Sequence, residues 1–599
     1  MAEDSELIIV GIDLGLTYTG VAFYPSGDDT TTVAVISEWP GSTDRIVKKV
    51  PTALYYSAGN RRPKKWGFEC PPPGSTEHGM MVKDRFKLYL VEEFFQKTLG
   101  GLGDHAPGNF EDVQMWFVDF LTALYKEIKK CISEKLELDD WRAARVEYLF
   151  SVPTTWDNHP EVLEMFKAIA AKAGFGESEE HSVQISLSEA EAAAVYTAAS
   201  QRNRHLVGVP AKSASLADDL SRLRQGDTVL VCDAGGGTTD VAVLKVSSIK
   251  RFVGPEGEEE ITELGQLDCV DVRDLNRSYS NADAKIRDGR MVFSLEEIRS
   301  MFDTQITEIF KLIDKQLENL KAGHPSEVVS HFVISGGLGS SQYVQDRIKE
   351  HYEYDPHGKK IKILISTHPQ LVVCKGLVLD RLLRLKYQIS ILPIVYCSAS
   401  YGIIVNELYN KRKHDNQRRL EKHENKVDGK WYAVGQIYWL ITKGTPISRH
   451  EPVNHMFRRI TNVNTPELTW KDAVAISKLD PNRLPQNIYE GDAKKLCEIT
   501  SLLNVRALGP NSEGVRRRRR PVWKTPREYF EIEQKVLVNI GSVDLKFAVQ
   551  FQETIIGTQD AIPARLMHMD NHRGREDDFE EGQQVDGVDD SWQHGLFAS

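Results

Sequence analysis

The stretch VLVCDAGGGTTDVAVLKV, residues 229–246, decides the fold. A β-branched apolar run ends on Asp233. Three glycines (Gly235, Gly236, Gly237) and two threonines follow, Thr238 the first of them, and Asp240 opens another apolar run. This pattern predicts strand, tight turn, strand, because apolar runs flank residues that tolerate unusual φ. The turn has the glycines of a phosphate loop but neither the G-x-x-x-x-G-K-[ST] lysine nor G-x-G-x-x-G spacing before a helix. A second copy stands near the start, IIVGIDLGLTYTGVAFY, residues 8–24. There Asp13 precedes Gly15, and Val21-Ala22 resumes the apolar run eight residues after the aspartate, as Val241-Ala242 does after Asp233. Two equivalent hairpins, 220 residues apart, predict two related domains facing one another.

Electrostatics limits what sits between them. A carboxylate about 4 Å from a phosphate oxygen is repelled by roughly 4 kcal/mol per charge pair at an effective dielectric near 20. Backbone N–H groups offset part of that, but not for two aspartates. Mg²⁺ reverses the sign, because it keeps several waters and is held by one or two carboxylates plus substrate phosphates. The aspartates are therefore expected to hold hydrated metal, and the glycines and threonines phosphate.

The bulk composition narrows the class. The chain has 599 residues and a net charge of -11, which argues against nucleic acid as the main partner, since phosphate neutralisation needs a basic face. Seven cysteines without a C-x-x-C pair suit a reducing compartment better than a disulfide framework. MAEDSELIIV is acidic before its short apolar run and is not a secretory signal. The most membrane-like segment, ISILPIVYCSASYGIIV (residues 389–405), is short and broken by Pro393, Ser398 and Ser400, so it reads as two buried strands. A cytoplasmic location, with the nucleus as an alternative, and no membrane partner are expected.

These residues resemble the actin-like ATPase superfamily, and within it the seventy-kilodalton heat-shock chaperones, particularly their divergent fungal-type relatives. IDLGLTY (residues 12–18) matches the first family motif, DAGGGTTD (residues 233–240) the second, and ISGGLGSS (residues 334–341) a third. Between them YLFSVPTTW and SLSEAEAAAVYTAA resemble the family's strand ending in Val-Pro and the helix after it. The resemblance implies an α/β fold: a duplicated actin-like, ribonuclease H-like nucleotide-binding domain over residues 7–388, then a β-rich substrate-binding-like domain over 389–560. It also implies ATP and Mg²⁺ as ligands. Asp13, Asp233 and Asp240 would serve the metal, Asp240 through its water shell if it is more than a turn carboxylate. Gly15, Leu16, Thr17 and Tyr18 would line the first loop, and Gly235, Gly236, Gly237 and Thr238 the second. Gly336 and Gly337 would let backbone approach the adenosine, with Ser340 beside them. Lys87, with Lys83 as a nearby rival, would reach the terminal phosphate. Glu189 would orient metal-bound water or the attacking water, with Asp233 beside it, from the first turn of a helix that Ser188 and Glu191 begin as a capping box.

Four departures follow. Leu16 stands where the family has a threonine, Ser340 where it has an adenine-stacking arginine, and Gln370 where it has an acid. Residues 251–293 are too short and too polar for the helical subdomain expected there. Weaker nucleotide binding and at most weak ATP hydrolysis follow. An amphipathic helix resumes at SLEEIRSMFDTQITEIFKLIDKQLENL.

The second half alternates apolar and polar residues, as in GKWYAVGQIYWLITKGTPIS, and weakly resembles the family's β-sandwich peptide-binding domain. RRRRR (residues 516–520) reads as a solvated loop or an import signal, and residues 561–599 as a disordered acidic tail. The function expected is a chaperone-like ATP-binding protein with unfolded peptides or client proteins as partners. The alternatives are a non-hydrolysing pseudo-ATPase scaffold and a sugar or acetate kinase.

Overall fold

The computed structural model describes residues 7–26, 32–43, 46–57, 62–71, 81–98, 107–153, 156, 160–200, 226–236, 239–245, 270–271, 286–287, 290–291, 295–353, 360–366, 368–387, 392, 394–397, 399–415, 417, 420–448, 451–463, 467–505, 512–520, 528–540, 545–561 and 596–597. The fold is mixed α/β with several sheets. It divides into two compact units, residues 1–158 with 165–391, and residues 159–164 with 392–599.

The first unit opens with β1 (Leu7–Leu14) and β2 (Tyr18–Pro25), an antiparallel hairpin in which Asp13 stands opposite Gly20. Short strands β3 (Ala34–Val35) and β4 (Val50–Pro51) pair with β2. A separate sheet holds β5 (Ala53–Tyr56), β6 (Pro63–Trp66) and β7 (Met81–Asp84), followed by α1 (Glu92–Thr98). Helix α2 (Phe110–Lys135) starts at Asn109, whose side chain accepts from the Asp112 N–H and so satisfies one of the helix's orphan donors. Then come β8 (Arg145–Val152), α3 (Pro160–Lys172), β9 (His181–Ser188) and α4 (Glu189–Ser200). β8 lies parallel to β1, and β9 parallel to β8. Parallel neighbours need long crossovers, and α2 and α3 supply them.

The same order of elements recurs. β10 (Thr228–Ala234) and β11 (Thr239–Lys245) form a hairpin with Asp233 opposite Asp240. Between β11 and the next helix the described residues form three two-residue strands, β12 (Val270–Asp271), β13 (Ile286–Arg287) and β14 (Arg290–Met291); the rest of the shortened segment is outside the described residues. Helix α5 (Leu295–Gly323) leads to β15 (Val329–Ser335), parallel to β10. Helix α6 (Gln342–Tyr352) leads to β16 (Lys362–Ile365), parallel to β15, and α7 (Val372–Tyr387) follows. Strands β1 and β10 are almost wholly buried, as central strands covered on both faces must be. Helix α7 packs on β1 and on α4.

The second unit contains β17 (Ile394–Tyr396), β18 (Ser400–Leu408), the one-turn α8 (Lys411–His414), β19 (Glu421–Glu424), β20 (Trp431–Ile441), β21 (Pro446–Ser448), β22 (Val453–Asn462), β23 (Leu468–Ser477), β24 (Lys494–Leu503), β25 (Val515–Arg519), β26 (Glu528–Ile540), β27 (Leu545–Phe551), β28 (Thr554–Ala561) and β29 (Leu596–Phe597). β17 pairs with β21, and the rest form one sheet. Its path runs β18, β23, β24, β28, β27, β26, β22, β29, and β29 pairs back to β18 at Asn406. The strands thus close a circuit instead of forming the two separate sheets of a sandwich. Inside lies a core that includes Ile403, Phe457, Trp470, Ile499, Ile532, Val536 and Phe547.

Two segments differ from their sequence reading. The arginine run is not a loop: Arg516 to Arg519 lie in β25 beside β26. Alternation puts Arg516 and Arg518 against Glu533 and Glu531 on one face, and Arg517 and Arg519 against Glu528 on the other. Within the tail, Leu596 and Phe597 form β29; His568 and His572 are outside the described residues. Among the described residues, no helix is long and apolar enough to cross a membrane.

Candidate functional site

The two aspartate hairpins of the first unit open onto one cavity of about 410 Å³, within the ~300–1,000 Å³ usual for small-molecule sites. Asp13, Gly15, Leu16, Thr17 and Tyr18 line it from the first hairpin, and Asp233, Gly235 and Gly236 from the second. Glu189, Gly336, Gly337, Gln370, Lys48 and Lys49 complete much of the wall.

Local structure explains the placement. Thr52 N–H donates to the Thr17 carbonyl at 2.8 Å and its hydroxyl to the Gly15 carbonyl at 2.9 Å, so the chain after β4 buttresses the first turn. The turns of the two hairpins touch: a Cβ on Gly236 would lie 2.6 Å from Thr17 Oγ1. Gly336 has φ +88°, and a Cβ there would lie 2.2 Å from the Ala234 carbonyl oxygen. Only glycine fits such a position, and it lets the turn after β15 lie against the end of β10. Leu338 N–H donates to that same carbonyl at 2.9 Å. Helix α4 begins with Glu189, and the capping box ahead of it is formed: Ser188 N–H donates to Glu191 Oε2 at 3.0 Å, and Glu191 N–H to Ser188 Oγ at 3.3 Å.

The remaining candidates divide. Lys87 is buried in a 3₁₀ turn, with its ammonium 2.5 Å from Glu189 Oε1 and 5.7 Å from the Trp156 ring centroid. Its rival Lys83 lies over the Trp116 ring at 4.8 Å. Asp240 is buried opposite Asp233 in the hairpin and is not part of the cavity wall. Ser340 is also off the wall; its hydroxyl donates to the Gly337 carbonyl at 2.6 Å. Gly237 and Thr238 are outside the described residues.

The charges are concentrated. Burial pushes the Asp233 carboxyl up to about 7; Asp13 and Asp240 add to the rise, while the Ser335 hydroxyl, donating at 2.8 Å, and Lys49 oppose it. Burial raises Glu189 as well, against the pull of Lys87, with Asp240 and Asp13 pushing the same way as burial. Among the described residues, no three Asp, Glu, His or Cys side chains cluster closely enough to ligate an ion directly. Asp13 and Asp233 give the cavity wall two carboxylates, within the one or two that a hydrated Mg²⁺ takes beside phosphate oxygens.

The sequence reading missed Lys49. Its ammonium sits 2.6 Å from Asp13 Oδ2, with the side chains 19% and 6% exposed. Burial, the largest influence, would lower the lysine, but Asp13, Cys374 and Asp233 together turn the net shift upward. The available signal was the lysine pair Lys48-Lys49 just before a strand, and nothing in the sequence said which of the two pairs with Asp13.

Residues 395–557 match a family described as a domain of unknown function (DUF8568). No curated protein matches the chain. Among solved structures the chain is similar to one described as "Alp12 filament structure", at 13% identity and a TM-score of 0.29, over 62% of this chain and 97% of that one.

Proposed function

We propose that the first unit is a duplicated actin-like, ribonuclease H-like domain that binds Mg²⁺-ATP, in a chaperone-like protein of the seventy-kilodalton heat-shock type. One observation carries the reading: Asp13 and Asp233, far apart in the chain, line a single cavity with five glycines and Thr17. Backbone N–H groups bared by glycine suit phosphate oxygens, and buried carboxylates beside them call for a cation. Asp13 and Asp233 would hold the hydrated ion and Thr17 a phosphate oxygen. Glu189 would orient water toward the terminal phosphorus, and Lys87 would turn to the phosphate on leaving Glu189. Hydrolysis to ADP and phosphate would be slow, and the β-rich unit would take peptide or partner segments.

The Lys87–Glu189 ion pair favours a second reading, a non-hydrolysing scaffold, because the two groups the chemistry needs are tied to each other. Calorimetric titration with ATP in excess magnesium, beside a phosphate-release assay, separates the two. The chaperone reading expects saturable binding and slow turnover that unfolded peptide raises. Glu189→Gln should keep affinity within about threefold and slow turnover by roughly a hundredfold, the usual worth of a positioned base. Binding without turnover selects the scaffold. Absence of binding refutes the cleft as a nucleotide site.

A further inference from the structure

The arginine strand of the second unit lies at an edge. Strand β22 runs along one side of β26; β25 and β27 share the other side, β25 against residues 528–532 and β27 against 535–540. Among the described residues β25 pairs with no other strand. Its register shows which backbone groups are left over. Glu533 N–H donates to the Gly514 carbonyl at 2.7 Å, in step with the pairing of Val515 to Ile532 and Arg516 to Glu531. Antiparallel ladders alternate, so Arg516 and Arg518 direct N–H and C=O at β26, whereas those of Arg517 and Arg519 point away from it. The far end is pinned, because Arg520 Nε donates to the Val427 carbonyl at 2.7 Å. Such a row of outward backbone groups is a template for a further strand.

Charge selects the partner. Arg516 to Arg519 meet three carboxylates among the described residues, Glu528, Glu531 and Glu533, and Glu528 serves two of the four arginines. Each guanidinium has five N–H donors, so one carboxylate contact leaves several, and 48–76% of each of these side chains is exposed. From Gly514 to Arg527 the sequence has seven basic residues and no acidic one.

We propose that the open edge of β25 takes an extended acidic peptide as an added strand. Backbone pairing along Arg517 and Arg519 supplies the register, and the incoming carboxylates meet the guanidinium donors that Glu528, Glu531 and Glu533 leave over. The sequence that fits is a run of consecutive Glu or Asp, because successive side chains of a strand turn to opposite faces and both faces of β25 are basic. A nucleic acid fits less well, since the arginines are split between two faces and a phosphate backbone lying on one of them reaches only half. The surface belongs to the second unit and stands apart from the nucleotide reading.

Fluorescence anisotropy of a labelled hexaglutamate peptide, titrated with the full chain, tests this. Saturable binding is expected, weakening about tenfold or more as salt rises from about 0.1 M to about 1 M and the screening length falls from about 10 Å to about 3 Å. A hexaglutamate methylated at every peptide nitrogen keeps the charge and lacks the N–H donors, and should bind about tenfold more weakly or worse. The double variants Arg516→Gln/Arg518→Gln and Arg517→Gln/Arg519→Gln each clear one face, and each should lose about fivefold or more. The comparison of the two peptides uses the parent protein, so it stands even where a variant fails to fold. Equal binding of the two peptides reduces the surface to a patch of charge and overturns the added strand. A loss confined to one of the double variants does the same, because the ligand then lies on a single face. A hexauridylate RNA that binds more tightly than hexaglutamate overturns the choice of partner, and no binding of hexaglutamate at about 0.1 M salt overturns the whole.

Discussion

Several buried charges among the described residues have partners, and some of these come from distant sequence, as Asp13 does for Lys49 and Glu189 for Lys87. In the second unit Arg459 is fully buried; its guanidinium pairs with Asp472 and lies 4.4 Å from the Trp470 ring centroid, while Trp470 Nε1 donates to Asp472 at 2.8 Å. Breaking such a pair costs about 3–5 kcal/mol because it strands a charge, although the intact pair contributes little net stability. A half-buried base shows a related cost through pH. His368 lies beside the cavity wall, with Nδ1 3.1 Å from the Tyr196 hydroxyl. Burial, then the charges of Lys375 and Lys48, pull its imidazole down to about 4. Its stabilising contribution is whole above the ordinary value of 6.5 and is lost as pH falls toward 4, because the unfolded chain takes up a proton that the folded one refuses. Urea midpoints measured from pH 7 to 4.5 should therefore fall more steeply for the parent than for His368→Gln. Equal slopes would mean that this histidine is not held neutral.

At the scale of elements, the turn after β15 has the sharpest requirement. Gly336→Ala adds a methyl at positive φ against the Ala234 backbone, which should cost about 1–3 kcal/mol and displace the turn from the cavity. Urea unfolding would report the first effect and ATP titration the second. A variant as stable as the parent would show that the turn can move away without cost. The local elements were legible: β-branched runs flanking Gly and Thr gave both hairpins, and Ser188 with Glu191 gave the start of α4. Cross-strand chemistry was not. The arginines of β25 are exposed, as the sequence reading had them, but they read as a loop because their partners, Glu528, Glu531 and Glu533, become neighbours only once the β25–β26 register is set. Lys49 was hidden for a similar reason. Its partner lies 36 residues away, and only the bare backbone of Gly20 makes the path between them.

For the whole molecule, each unit has a hydrophobic core of its own, one around Leu230, Ile309 and Phe332, the other inside the strand circuit. Ligand that binds one unit stabilises that unit by mass action, about 2.7 kcal/mol at a hundred times Kd. Differential scanning calorimetry should then show two heat-absorption peaks, with ATP and magnesium moving only the one that belongs to residues 1–391. A single peak, or two that move together, would count against separate units.

The circuit in the second unit has one short stave, Leu596–Phe597, hydrogen-bonded between Asn406 on one side and Arg458 and Arg459 on the other. Loss of that stave would open the circuit and bare the backbone N–H and C=O groups that β18 and β22 turn toward it, leaving edges ready to pair with another chain.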